Sequence, residues 1–288
     1  MKEAAEQLLS LSSVDTRLGA FLREYFVNNL TRVAMNVAFL KRLIQPNSRY
    51  LDVGSFGIEA VILKKEYPSC TVKALAYEGN NIGIGPEGFF ETVDAREAGC
   101  ILIDAVDVER ESFPYQDNEF DLVTCFEVLE HLKHSPIPMV KEIKRVLHPE
   151  GLLVLTTPNI NSARSLVKMF CGRSPQQCPY YHESLQYGVM HAKEYTQYEV
   201  EDLLTSLGLK IEKLSTVDMR PTGFPERALV ALLSALIPII RRFSSQAAYP
   251  GGLHEKILVV AMKGGPIISE TPQSLFEPRS SVRPGGHT

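Results

Sequence analysis

The chain has 288 residues, 44% of them apolar and 22% charged, a composition typical of a soluble globular protein. Its formal net charge of −4 argues against a broad basic surface, so no nucleic-acid partner is expected. The five cysteines form no CxxC pair, no uncharged apolar run approaches the ~18 residues of a membrane span, and the amino terminus lacks a signal-peptide pattern; we therefore expect reduced thiols, no transmembrane helix and a cytoplasmic location.

Helices are predicted across residues 1–45, because apolar residues recur at helical spacing and Pro46 ends the last helix. Strands and helices then alternate, which is typical of βαβ units in a doubly wound sheet. The strands are expected at residues 50–54, 71–77, 100–105, 120–125, 152–156, 210–217 and 257–262. The helices are expected at residues 58–67, 137–147 and 196–207.

This pattern divides the chain into an N-terminal helical cap (1–47), an α/β domain (48–263) and a Gly-, Pro- and Ser-rich tail (264–288) that we expect to be disordered. Residues 159–195 and 219–253 interrupt the alternation and are expected to be insertions on the substrate side. The second insertion contains an apolar helix at 228–240, flanked by arginines. Burial, a homodimer interface and peripheral membrane contact through residues 228–243 are the three interpretations of this helix.

The turn after the first strand is expected to form half of a nucleotide site. Open α/β sheets bind ligands outside the carboxyl ends of their strands, where the strand order reverses. Here the first strand leads through Asp52 into the turn Gly54-Ser55-Phe56-Gly57, whose glycines let the backbone approach a ligand closely. Glu78 follows the second strand, where a carboxylate can accept both ribose hydroxyls. A dinucleotide-dependent dehydrogenase is the competing interpretation of this turn.

An E-x-x-E-H element follows the fourth strand, made by Glu127, Glu130 and His131. If the next helix starts here, spacings of three and four bring the three side chains to one helix face. Two carboxylates and an imidazole suit a divalent cation such as Mg²⁺, Mn²⁺ or Zn²⁺. The alternative is that these side chains line the cleft without a metal.

Two stretches, FDLVTCFEVLEHL at 120–132 and HAKEYTQYEVEDLLTSLG at 191–208, resemble class I SAM-dependent (S-adenosylmethionine-dependent) methyltransferases. The resemblance extends over about residues 48–215 and is to groups found in ubiquinone-type and surface-glycan pathways. It implies a Rossmann-like seven-stranded sheet and SAM as the cofactor, although Phe56 and Ile58 stand where the family turn has glycines. The residues it implies for SAM are Asp52, Gly54, Ser55, Gly57, Glu78, Asp107 and Phe126.

The resemblance also implies roles for the acidic and histidine residues. Plant small-RNA terminal 2′-O-methyltransferases and ubiquinone-pathway O-methyltransferases use an ExxEH element for a divalent metal, and in the RNA enzymes a further histidine follows at a place comparable to His191. The implied metal ligands are Glu127, Glu130, His131 and His191, with Glu127, His131 and His191 also as catalytic residues. His191 as a general base without metal is the alternative.

The expected reaction is transfer of a methyl group to a hydroxyl. Enzymes that methylate base or amide nitrogens often carry D/N-P-P-Y after the fourth strand, and this chain has Thr124-Cys125-Phe126-Glu127 instead. The expected acceptor is a small molecule, either a sugar or glycan intermediate or a quinone-type precursor. RNA ribose 2′-O-methylation and a catalytically degenerate, SAM-binding regulatory subunit are the alternatives.

Overall fold

The computed structural model describes residues 17–54, 58–77, 102–177, 191–219 and 252–276, together with positions 228, 230–232 and 235. Strands and helices alternate along most of these ranges. The strands are β1 (Arg49–Val53), β2 (Thr71–Tyr77), β3 (Leu102–Val106), β4 (Phe120–Phe126), β5 (Leu147–Pro158), β6 (Leu209–Val217) and β7 (Lys256–Lys263). The α-helices are α1 (Arg17–Leu40), α2 (Ile58–Glu66), α3 (Ile137–Val146), α4 (Ala163–Phe170) and α5 (Gln197–Ser206).

Within the described ranges, the strands form one seven-stranded sheet in the order β3-β2-β1-β4-β5-β7-β6. Strands β1 to β5 are parallel, and β7 runs antiparallel between β5 and β6. The expected α/β, Rossmann-like fold class is confirmed. The strand order reverses between β1 and β4, so the loops after these two strands open the crevice where such folds bind ligands. Because β7 is antiparallel, its first residue, Lys256, lies at the same edge, opposite Pro158.

Apolar side chains cover both faces of the sheet, as burial of a parallel sheet requires. Leu51 and Val53 of β1 pack in a hydrophobic cluster with residues of α3 and α5, and Tyr50 packs in a second cluster with residues of α1 and α2. Helix α3 contributes one buried stripe, formed by Met139, Val140, Ile143 and Val146. The two clusters fix the strand ends that position the polar side chains of the crevice.

The sequence pattern misses or misplaces some elements. Helix α4 lies inside the first expected insertion, and its eight residues are too few for a clear periodic pattern in the sequence. Ser162 caps this helix by accepting a hydrogen bond from the Ser165 N–H. Strand β5 begins five residues earlier than expected, since Leu147 pairs with Phe120 before an irregularity shifts the register. The cap expected at residues 1–47 is represented by α1, and residues 1–16 lie outside the described residues.

The prediction that the chain is disordered from Gly264 onward is wrong for residues 264–276. The N–H groups of Ile268 and Ser269 donate to the Ser206 carbonyl, which would otherwise be left unpaired at the end of α5. Ser274 donates to the Asp202 carboxylate through both its N–H and its hydroxyl. Leu275 packs against the first hydrophobic cluster. A Gly/Pro-rich composition therefore does not prevent this segment from docking, and residues 277–288 lie outside the described ones.

In the described part of the chain, no helix has the length and apolar character needed to cross a membrane. Cys70, Cys125 and Cys171 are free thiols there. Of the helix expected at 228–240, only five positions are described, all helical, and Leu232 among them is 60% exposed. Burial, one of the three interpretations of this helix, does not hold for that side chain.

Side chains hold both ends of the second expected insertion at the carboxyl edge. The insertion leaves after β6, where the Asp218 carboxylate lies 2.7 Å from Nδ1 of His254 and also accepts the Glu255 N–H. It rejoins before β7, where the Asn159 side-chain amide donates to the carbonyls of Gly252 and His254. The entry and exit of the segment are thereby attached to each other and to the end of β5.

Candidate active site

The loops after β1 and β4 meet at Gly54. This glycine has a φ of +75°, and its N–H donates to the Leu75 carbonyl at 2.7 Å. A Cβ at this position would lie 2.7 Å from Val128 Cγ2 in the β4 loop, so the close approach of the two loops requires glycine. One of the two glycines expected in the SAM turn thus has a conformation that favours glycine, and it lies at the strand-order reversal.

Asp52 and Thr124 join β1 to β4 beneath this turn. Both side chains are fully buried, and the Thr124 hydroxyl donates to the Asp52 carboxylate at 2.8 Å. The Tyr50 hydroxyl lies 2.7 Å from the same Thr124 oxygen. Burial, together with the charge of Asp52, raises the Tyr50 pKa well above its ordinary value, so the phenol stays neutral. This polar network fixes the spacing of the two strands at the crevice.

The other residues expected to hold SAM are only partly described. The Asp107 carboxylate, just after β3, accepts the Glu109 N–H at 3.0 Å and shapes the loop there. Phe126 is buried and packs in the second hydrophobic cluster. Ser55, Gly57 and Glu78 lie outside the described residues. The role of all these residues in SAM binding stays a prediction.

Glu127 does not lie on a helix face with Glu130 and His131, and that expectation is wrong. Its φ is +57°, in the left-handed region, and a single 3₁₀ turn, Leu129–His131, follows it before α3 begins at Ile137. Its N–H donates to the Thr156 carbonyl at 2.9 Å, and its carboxylate accepts the Thr156 hydroxyl at 3.1 Å. The left-handed residue turns the chain sharply, so the carboxylate points back across the end of β5.

Lys256 forms a buried ion pair with Glu127. The two side chains are 7% and 13% exposed, and the ammonium also donates to the Gln177 side chain at 3.1 Å. Burial alone would favour the neutral acid, but the charges of Lys256 and Arg32 outweigh it and lower the Glu127 pKa. Glu127 is therefore ionised and already neutralised by a lysine.

Glu130 is fully buried and only half satisfied. Its Oε2 accepts the Thr157 hydroxyl at 3.0 Å, whereas its Oε1 has no hydrogen-bond partner among the described residues. Burial, and then the charge of Glu127, raise the Glu130 pKa to about 7, although Lys256 and His191 oppose the shift. An unpartnered carboxylate oxygen in such surroundings is suited to a proton or a cation.

Glu130, His131 and His191 form the one group of at least three metal-ligating side chains within the described residues; one ligand atom from each lies within 4.8 Å of the others. The two imidazole rings are edge to face, with centroids 5.1 Å apart. Glu194 lies behind His191, with its Oε1 2.6 Å from the His191 Nδ1. The structure thus brings together three of the four expected ligands, while Glu127 is held by Lys256.

Sequence reasoning missed the residues that support this group: Thr156, Thr157, Gln177, Glu194 and Lys256. Glu194 could have been identified from the sequence, because it lies three residues after His191 in the stretch that carries the resemblance. Lys256 could not, since it follows Glu127 by more than a hundred positions and looks like the polar start of an apolar strand.

A family model described as a methyltransferase domain matches residues 23–214, which is most of the chain. The chain belongs to this methyltransferase family. It is a SAM-dependent methyltransferase. The matched region ends within β6, so it includes the two switch-point loops, Glu130, His131 and His191, while Lys256 lies beyond it.

Two archaeal structures share the methyltransferase's fold. One is the complex between the Haloferax volcanii Trm112 methyltransferase activator and a methyltransferase, with 13% identity, a TM-score of 0.51 and coverage of 84% of this chain and 92% of that one. The other is a Pyrococcus horikoshii protein, with 15% identity, a TM-score of 0.51 and coverage of 91% and 99%. At these identities the likeness establishes the fold alone.

One curated relative is an uncharacterized protein of Methanocaldococcus jannaschii, 41% identical over 49 residues. The match covers 17% of the methyltransferase and 21% of the relative, so it spans about a fifth of the relative's length.

Glu130 should make the cation-free methyltransferase less stable as the pH rises. Its pKa of about 7 in the folded state is above the value of 4.5 for an unburied glutamate, so its stabilising contribution is complete below pH 4.5 and is lost as the pH rises through 7. The loss amounts to at most about 3 kcal/mol. Urea unfolding of wild type and Glu130→Gln at pH 5, 6, 7 and 8, with a chelator present, should give a steeper loss of stability in wild type. Parallel pH profiles would contradict the raised pKa.

Proposed function

We propose that this methyltransferase methylates a hydroxyl oxygen of a small molecule, either a sugar or glycan intermediate or a quinone-type precursor, and that Glu130, His131 and His191 bind a divalent cation beside that oxygen. The observation that carries the proposal is the convergence of one buried carboxylate and two imidazoles at the strand-order reversal. SAM supplies an electrophilic methyl group when it is bound, and a hydroxyl must be deprotonated to attack it well.

The donor set fits a cation. Two imidazoles and one carboxylate are ligands of Zn²⁺, Mn²⁺ and related ions, and three protein ligands leave positions for an acceptor. The buried Glu130 Oε1 has no hydrogen-bond partner in the part of the chain that the structure describes, and it would be costly to leave unsatisfied without a cation or a proton. Glu130, His131 and His191 would hold the cation, which would supply Lewis acidity to lower the pKa of an acceptor hydroxyl.

The chain's own residues set the charge around this centre. Lys256 neutralises Glu127, so Glu130 supplies the one carboxylate of the group. Glu194 contacts Nδ1 of His191, so we assign Nε2 as the nitrogen that meets a cation or accepts the acceptor's proton. The second role is the metal-free alternative, in which His191 acts as the general base.

Chelation should separate the two mechanisms. After treatment with EDTA and desalting, methyl transfer to a hydroxyl acceptor should fall by at least about 100-fold, since a metal-assisted step loses its activated oxygen. Mn²⁺, Zn²⁺ or Mg²⁺ should restore it, and calorimetric SAM affinity should not change throughout.

The acceptor is tested with a panel of sugar diols, catechols, amines and RNA oligonucleotides, using methyl-labelled SAM. Full activity in EDTA would contradict the cation mechanism and favour the metal-free alternative, in which His191 is the general base. Labelling of amines alone would contradict the hydroxyl acceptor, and labelling of RNA alone would contradict the small molecule.

A further inference from the structure

Glu194 is a buried carboxylate that lies behind His191. The residue is 3% exposed, and its Oε1 both lies 2.6 Å from the His191 Nδ1 and accepts the Gln177 N–H at 2.6 Å. Its second oxygen, Oε2, has no hydrogen-bond partner within the described residues. Neither the family match nor the expected ligand set assigns a role to this residue.

The backbone around Glu194 is attached to the ExxEH turn. The N–H groups of Ala192 and Lys193 both donate to the Glu130 carbonyl, at 2.7 and 3.2 Å. On the other side, the Tyr195 carbonyl accepts the N–H of Ile160, which lies two residues beyond β5. Because both sides are held by backbone hydrogen bonds, the Glu194 carboxylate presents a fixed acceptor to the His191 ring.

A fixed carboxylate determines which imidazole nitrogen carries the proton. An ionised carboxylate only accepts hydrogen bonds, so the nitrogen facing it must bear a hydrogen. In neutral His191 that nitrogen is Nδ1, and the lone pair is then on Nε2. A carboxylate behind a metal-binding imidazole also raises the basicity of the ligand nitrogen.

We propose that Glu194 is a positioning residue that holds His191 in the Nδ1–H tautomer, with the Nε2 lone pair directed to the group formed with Glu130 and His131. The cation part of this inference rests on the proposed function, whereas the tautomer part does not. In both mechanisms Nε2 of His191 carries the lone pair, and it receives either a cation or the acceptor's proton.

The test compares Glu194→Ala and Glu194→Gln with wild type by nitrogen-15 NMR of the histidine side chains, with the His191 signals assigned by their loss in His191→Gln. Wild type should show protonated Nδ1 and unprotonated Nε2. Glu194→Ala should give a mixture of His191 tautomers. Its affinity for Mn²⁺ or Zn²⁺, measured by calorimetry, should be 10- to 100-fold weaker, the loss typical when a side chain that hydrogen-bonds a metal ligand is removed. Glu194→Gln keeps an acceptor oxygen and should recover part of both losses.

Glu199→Ala is the matched control, because it removes a partly buried carboxylate, 17% exposed, five residues further along the chain at the start of α5. Glu199 completes the capping box of α5 with Thr196, so its loss should lower the melting temperature without changing the His191 tautomer or the cation affinity.

An unchanged His191 tautomer in both Glu194 variants would overturn the proposal, as would an equal shift in Glu199→Ala. If wild type binds neither Mn²⁺ nor Zn²⁺, the cation site fails while the NMR comparison still decides the role of Glu194. If Glu194→Ala does not fold, Glu194→Gln decides alone. A His191 tautomer and a cation affinity equal to those of wild type would then overturn the proposal. A measurable change in both would support the proposal.

Discussion

Replacing Lys256 with methionine is expected to lower the free energy of unfolding by about 3–5 kcal/mol, the cost of leaving one partner of a buried ion pair uncompensated. The Glu127 carboxylate would remain buried just after β4, with the Thr156 hydroxyl as its remaining side-chain donor among the described residues. Urea denaturation at pH 7.5 measures the change. The same replacement in an exposed pair, Lys41→Met opposite Glu66, should cost less than about 1 kcal/mol.

The double variant Glu127→Gln/Lys256→Met isolates the cause. It removes both charges at once, so most of the lost stability should return, because a buried pair contributes little beyond a neutral replacement of similar size. If the single Lys256 variant unfolds at the wild-type urea concentration, the ion pair is solvated and the charge assignment for Glu127 is wrong.

Replacing His131 with alanine is expected to reduce turnover by about 10²- to 10⁴-fold, the range over which acid–base and related catalytic groups act. His131 supplies one of three converging ligand atoms, and its ring also packs against the His191 ring. SAM affinity by calorimetry should not change, since the residues expected to hold SAM, apart from Phe126, belong to β1 or follow β1, β2 and β3, away from the turn that carries His131.

His148→Ala is the control for this experiment. His148 lies near the start of β5, at the opposite edge of the sheet from the candidate site, so its loss should leave turnover within about twofold of wild type. A His131→Ala variant that loses SAM binding together with turnover would place His131 in the cofactor site and contradict the proposed arrangement.

The sheet could be predicted because each strand is recognisable from the residues of that strand and of the turn that follows it. Runs such as residues 50–54 and 120–125 are apolar enough to be buried on both faces, and the turns that follow them carry the glycine and the acidic residues. The right-handed βαβ rule then brings these turns to one edge. The proximity of His191 to His131 was implied by the resemblance and by nothing local, since the two are separated by sixty positions.

The charge balance of the site could not be predicted, because it depends on strand register. Lys256 reaches Glu127 only because β7 is antiparallel and begins opposite Pro158. The left-handed conformation of Glu127 had no signal either, since glutamate is not among the residues that favour it. Both features together turn an expected metal ligand into the partner of a lysine.

The attachment of the second insertion at both its ends has a consequence for how much the length of this segment can vary. The second insertion (219–253) starts directly after Asp218 and ends directly before His254, and these two flanking residues are tied to each other and to Asn159. Loop-closure entropy grows slowly with length, so a longer or shorter segment can be grafted between these anchors at little thermodynamic cost. Lys256 would keep its place after such a graft, so its ion pair with Glu127 can stay constant while the segment varies in length.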